Sequence, residues 1–238
     1  MGIQILPSLI VALCISYAGV DSAVFTVKNN CRDQIWPATQ TGQGAPALTG
    51  FELAPQASKT VDIPSPWSGR FWARSQCSNS SGKFACLTGD CNSGQVECGV
   101  GGTPPASLAE FTLAGADGKD FFDISLVDGF NLPMSVSPDG SGCQATACPG
   151  DINNACPDEL AVKDPNGGIV GCKSACVALN QPQYCCTGAY GSPDTCKPTN
   201  YSQIFKSKCP QAYSYAYDDK TSLITCPTGG NYAITFCP

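Results

Sequence analysis

Apolar and polar positions alternate with period two in short runs along this chain, and Gly, Pro, Asn and Asp separate the runs. That pattern predicts half-buried β-strands joined by turns. The runs are 24–30, 34–38, two short pieces within 51–63 broken at Pro55 and Pro64, 68–74, 108–113, 121–127, 222–225 and 232–237. Residues 39–50, rich in Gly and Thr, read as a surface loop. Helical spacing is confined to 171–179, where Cys172 and Cys176 lie one turn apart. An all-β protein is therefore expected.

The runs 108–113 and 121–127 flank a glycine-containing turn at 115–119 and predict a β-hairpin. Folding it about Ala116 and Asp117 sets Glu110 opposite Asp123, to within one residue, with Cβ atoms about 4.5–5.5 Å apart. Two carboxylates so placed repel, and a cation or a use for their field must compensate. Asp128 lies five residues beyond Asp123, about 16 Å away if the strand ran on extended. The Asp128-Gly129 turn signal allows the chain to bend and return Asp128 to the hairpin. In the run 68–74, alternation puts Arg70, Trp72 and Arg74 on one face, with Phe71 and Ala73 on the other. That face is either an exposed basic surface or the source, through Arg70, of the cation the hairpin requires. Taken singly, each acid has an ordinary explanation in turn or strand-edge chemistry, and their co-occurrence with Arg70 shifts the balance.

Composition narrows the chemistry. The 238 residues contain no histidine, which excludes imidazole bases, Ser-His-Asp and Cys-His nucleophiles and His-based zinc sites. Any hydrolysis would have to use carboxylates. Thirteen Lys and Arg against 19 acids give a net charge of −6, unsuited to a nucleic-acid phosphate backbone. The opening run Ile3 to Val20 is a leader-like apolar stretch with the best cleavage site after Ser22, despite lacking a basic n-region; a membrane anchor is the minority alternative. Removing residues 1–22 from 238 leaves 216 residues, and it leaves sixteen of the 17 cysteines because Cys14 goes with the leader. In an exported chain that even number predicts eight disulfides, whose pairing counting alone leaves open among roughly two million possibilities. No metal or cofactor is expected. Two N-glycosylation sequons begin at Asn79 and Asn200.

The stretch Gly82-x-Phe84-x-Cys86-x-Thr88-Gly89-Asp90-Cys91, followed by Gly94 and Cys98, resembles the signature of the thaumatin-like proteins, the plant pathogenesis-related family five. Further matching runs are Asn29-Asn30-Cys31, Arg70 to Arg74, Asp123 to Asn131, Gln183 to Cys186, Ala212 to Tyr215 and Phe236 to Pro238, and the sixteen cysteines agree in number and order. The resemblance spans the mature chain. It implies a flattened antiparallel β-sandwich (23–75, 100–147 and 210–238), a disulfide-rich loop and short-helix domain (148–209) and a small disulfide-stapled excursion (76–99). It also implies the pairing Cys31–Cys237, Cys77–Cys86, Cys91–Cys98, Cys143–Cys226, Cys148–Cys209, Cys156–Cys172, Cys176–Cys185 and Cys186–Cys196. The first of these closes the longest loop, worth about 4–5 kcal/mol in the chain-entropy model.

The family's acidic cleft, carried over residue by residue, falls on Arg70, Glu110, Asp123, Asp128 and Asp218, with adjacent Asp219 an alternative to the last. The resemblance implies a secreted, monomeric plant defence protein of the apoplast. Its cleft would bind fungal-wall β-1,3-glucan or another wall polysaccharide, or a fungal membrane or receptor component, between aromatic walls such as Phe111, Phe122, Tyr213 and Tyr217. A second reading is a weak endo-β-1,3-glucanase with Glu110 as general acid, its pKa raised by neighbouring carboxylates, and Asp123 or Asp128 as nucleophile or base. Inhibition of a foreign hydrolase ranks third.

Overall fold

The computed structural model describes residues 22–238, so of the expected leader only Ser22 lies within them. In chain order the strands are β1 (Ser22–Asn29), β2 (Trp36–Gln43), β3 (Ser58–Pro64), β4 (Trp67–Ser80), β5 (Lys83–Thr88), β6 (Leu108–Leu113) and β7 (Lys119–Ser125). They continue with β8 (Met134–Pro138), β9 (Thr146–Cys148), β10 (Ala161–Lys163), β11 (Ile169–Cys172), β12 (Ile224–Pro227) and β13 (Tyr232–Phe236). Short helices α1 (Ala175–Leu179), α2 (Pro182–Cys185), α3 (Asn200–Lys208) and α4 (Asp219–Ser222) lie between β11 and β12.

Two sheets face each other. One runs β3-β1-β13-β8-β9 and the other β12-β7-β6-β4-β2, with β5 pairing the far end of β4. Alternation decides which side chains meet between them: Phe25 and Val27 from β1, Phe71 and Ala73 from β4, Ala109 and Phe111 from β6, and Phe122 and Ile124 from β7 form one buried core. Across the gap Phe25 lies 5.1 Å from Phe71 and 4.9 Å from Phe111, ring centre to ring centre. Each fully buried phenylalanine contributes about 1.5–3 kcal/mol. Phe111 and Phe122 are therefore core residues at 3% and 1% exposure; the expectation that Phe122 walls the cleft is corrected, and Phe111 borders the cleft while almost wholly buried. Facing inward beside β6 leaves their neighbours Glu110 and Asp123 on the outer face.

Three further expectations change. The β1–β13 pair is parallel, an exception in an otherwise antiparallel pair of sheets. The whole length of chain between the two strands serves as the crossover that parallel neighbours require. Strand β2 runs through Gln43, well into the segment expected to be loop, and it carries Pro37 because it is the edge strand of its sheet. Helix α3 was invisible to apolar periodicity because its face is mostly polar. Its start is instead fixed by Thr199 and Ser202, each side chain capping the other's backbone N–H, and by burial of Phe205.

The face of β4 holding Trp72 and Arg74 is not an exposed basic surface. Both side chains are fully buried under the 89–98 excursion. Trp72 Nε1 donates to Gly89 O at 2.8 Å, and Arg74 donates to the carbonyls of Trp36 and Val96. The sulfur bridges join Cys31–Cys237, Cys77–Cys86, Cys91–Cys98, Cys143–Cys226, Cys148–Cys209, Cys156–Cys172, Cys176–Cys185 and Cys186–Cys196. Four of these lie within 148–209, a segment of short strands and helices.

Candidate functional site: an acidic cleft on the outer sheet face

The site is built from one row of cross-strand neighbours. Gln40 on β2 opposes Arg70 on β4, Arg70 opposes Glu110 on β6, and Glu110 opposes Asp123 on β7. Directly opposed residues share a face of the sheet, so the four side chains project together from the side turned away from the core. The cation required by the paired carboxylates thus stands one strand away from Glu110. Arg70 Nε donates to Gln40 Oε1 at 2.9 Å, and its Nη1 pairs with Asp128 Oδ2 at 3.6 Å. Gly101 packs against this pair: a Cβ there would lie 2.5 Å from Arg70 Nη2 and 2.6 Å from Gln40 Oε1.

Asp128 reaches the row because the strand ends. Gly129 N donates to Leu126 O at 2.9 Å, and Gly129 adopts a φ of 105°, a conformation that glycine tolerates. A Cβ at Gly129 would also meet Cys172 O at 2.4 Å. On the other flank the 213–219 segment closes over β7. Tyr213 N donates to Ile124 O at 2.8 Å, Leu126 N donates to Tyr213 O at 2.9 Å, and Tyr213 OH donates to Asp219 Oδ1 at 2.9 Å.

Two cavities meet at the row. One of about 440 Å³ is lined by Gln40, Ser68, Arg70, Glu110, Phe121 and Asp123, and one of about 430 Å³ by Arg70, Glu110, Asp123, Asp128, Tyr213 and Asp219. They share Arg70, Glu110 and Asp123, so together they form one groove with the row across its floor.

Burial raises both central carboxyl groups. The Asp123 carboxyl is pushed up to about 8, by burial first and then by the negative charges of Glu110 and Asp219. Its Oδ1 is buried without a hydrogen-bond partner among the described residues. Glu110 is raised by burial first, while Arg70 pulls it down and Asp128 pushes it up. A neighbouring carboxylate, Asp128, does raise Glu110 as expected, but desolvation leads, and the carboxyl pushed up to about 8 is Asp123. Asp218 also takes a different role. Its Oδ2 accepts from Ser214 N, Ser214 Oγ and, at 2.8 Å, Lys206 Nζ, so it anchors the 213–219 segment, and Asp219 lines the groove in its place.

The thaumatin family model matches residues 29–238. This chain belongs to the thaumatin family. Among thaumatin-family relatives, thaumatin-like protein 1 of Pyrus pyrifolia is 59% identical, with all of both chains covered. A Prunus avium protein named glucan endo-1,3-beta-glucosidase is 56% identical over 94% of each chain. The thaumatin fold also aligns with the solved structure of a laminaripentaose-producing β-1,3-glucanase in complex with laminaritetraose, covering 92% of this chain and 99% of that one at a TM-score of 0.65. At 14% identity that likeness is one of fold alone.

Within this thaumatin-family cleft, Arg70, Glu110, Asp123 and Asp128 lie together as neighbours, while Gln40, Ser125 and Asp219 complete it. Gln40 carries no signal in the pattern because the alternating run 34–38 ends before it. Ser125, buried on β7 and lining the same groove, had a signal in the alternation, which puts it on the face of Asp123.

Proposed function

We propose that this protein is a secreted defence protein whose acidic groove binds β-1,3-glucan. The observation that carries the reading is the row Gln40, Arg70, Glu110 and Asp123 across four adjacent strands, flanked by Asp128 and Asp219 along a continuous groove. Sugar hydroxyls donate to carboxylates and accept from guanidinium and amide groups, so a row with an amide and a guanidinium at one end and two carboxyl groups at the other suits a saccharide chain laid across it. The half-buried ring of Phe121 offers a face for the C–H side of a pyranose. Other wall polysaccharides, or a fungal membrane or receptor component, would have to present the same hydroxyl-rich chemistry.

Titration calorimetry with laminarin oligosaccharides tests this. Removing one charged hydrogen-bonding group costs about 1.5–3 kcal/mol, so Glu110→Gln is expected to weaken binding at least about tenfold. Equal affinity of wild type and Glu110→Gln would remove the groove from the account.

One observation favours hydrolysis as a second reading: a carboxyl held neutral beside another carboxyl is the arrangement of a glycosidase acid and its partner. Asp123 then supplies the proton to the glycosidic oxygen, and Glu110 or Asp219 acts as the nucleophile or base. Reducing-sugar release from laminarin that vanishes in Asp123→Asn while binding persists supports this reading. No release from the wild type rejects it and leaves binding.

A further inference from the structure

A second cavity stands apart from the acidic groove and shares none of its lining residues. It measures about 310 Å³, at the lower end for a small-molecule site, and is lined by Trp36, Glu52, Asn79, Phe84 and Gln95 among others. Its floor is aromatic. The Trp36 and Phe84 rings lie 5.7 Å apart at 57°, and the Arg74 guanidinium sits 5.2 Å from the centre of the Phe84 ring, fixing that ring in place. Polar groups stand around it in Glu52, Ser78 and Gln95.

Asn79 is the acceptor of the sequon Asn79-Ser80-Ser81 and lies near the tip of the β4–β5 hairpin. In the register of that hairpin Asn79 directly opposes Phe84. The two side chains therefore leave the same face with Cβ atoms about 4.5–5.5 Å apart. The hairpin closes through Ser81 and Gly82, whose φ values of 54° and 76° make a tight turn, and the Cys77–Cys86 bridge ties its strands together. A substituent on the Asn79 amide thus starts at the rim of the aromatic cavity from a rigid base.

We propose that Asn79 carries an N-linked glycan whose first N-acetylglucosamine packs into the cavity between Trp36 and Phe84. A pyranose matches the cavity's two characters, an apolar C–H face against the rings and hydroxyl and acetamide groups toward Glu52 and Gln95. The covalent tether makes the contact intramolecular, so even weak stacking suffices for occupancy. This inference is independent of what the acidic groove binds.

The test expresses the full chain through a eukaryotic secretory pathway and maps its peptides by mass. Three samples are compared: intact protein, protein trimmed by an endoglycosidase that leaves the first sugar, and Asn79→Gln. Complete enzymatic removal of the glycan from folded Asn200→Gln protein, which leaves Asp at 79, supplies a second sugar-free sample, compared with its own trimmed form, should Asn79→Gln fold poorly. Asn79 is expected to be occupied. Intact and trimmed samples should share one Tm, with the sugar-free samples about 2–4 °C lower. The Trp36 indole resonance should shift between trimmed and sugar-free protein. Unmodified Asn79 overturns the proposal, as does an occupied Asn79 whose sugar changes neither Tm nor the Trp36 signal. If chitobiose added to Asn79→Gln moves the Trp36 signal while wild-type Asn79 is unmodified, the cavity takes a free saccharide and the tethered-glycan proposal fails.

Discussion

Asp123→Asn isolates the energetic cost of placing a second carboxyl in the groove. In the native protein Asp123 keeps its proton up to about pH 8, whereas the unfolded chain releases it near the ordinary 3.8. The native state therefore binds the extra proton. Stability is fully present below about pH 4 and falls as pH rises towards 8, by about 1.4 kcal/mol per pH unit where only the unfolded chain is ionised. From 3.8 to pH 7 the loss approaches about 4 kcal/mol, a ceiling because relaxation around the charged form reduces it. Asparagine is close in shape to the neutral acid and does not titrate. The variant should match wild type near pH 3.5 and be more stable by up to about 4 kcal/mol at pH 7, with a Tm raised by about 8 °C or more at the full value. Urea or thermal unfolding of both proteins from pH 3 to 8, disulfides intact, measures the difference. A pH-independent gap, or a wild type that is the more stable at pH 7, would refute the burial argument for Asp123.

Arg70→Gln removes the charge that pulls Glu110 down, so the Glu110 carboxyl should titrate at still higher pH, read by carboxyl-specific NMR, and laminarin affinity should drop about tenfold or more. Gly101→Ala should copy that affinity loss without touching a charge, since its Cβ displaces Arg70 and Gln40, and unaltered binding would show that Arg70 has another rotamer available. Asp218→Ala leaves the largely buried Lys206 ammonium without its carboxylate and should cost about 2–3 kcal/mol in chemical unfolding. Asp219→Asn should instead leave stability within about 1 kcal/mol and weaken saccharide binding, and the opposite pattern would return Asp218 to the groove.

How far the site was legible depends on the kind of contact. The opposition of Glu110 and Asp123 was readable because period-two alternation and one turn fix the register of a hairpin. The bend at Asp128-Gly129 was readable for the same local reason. The placement of Asp219 was not: two adjacent aspartates carry the same local signal, and Lys206, distant in sequence, decides which one turns away. Gln40 was hidden because Pro37 and the glycines that follow look like loop, and only pairing with β4 keeps that edge strand extended.

By itself the sequence determined the predominance of short β-strands, the hairpin register, the disulfide-bonded class and the absence of histidine chemistry, all properties of near neighbours or of composition; β5 and β8–β11 carried no such signal, and residue 222, expected in a strand, ends helix α4. Only the tertiary structure decided that Phe111 and Phe122 fill the core, that Trp72 and Arg74 are covered, and that Asp123 is the carboxyl held neutral. Burial and long-range charge are set by which segments close over a residue, and those segments lie tens to hundreds of positions away along the chain.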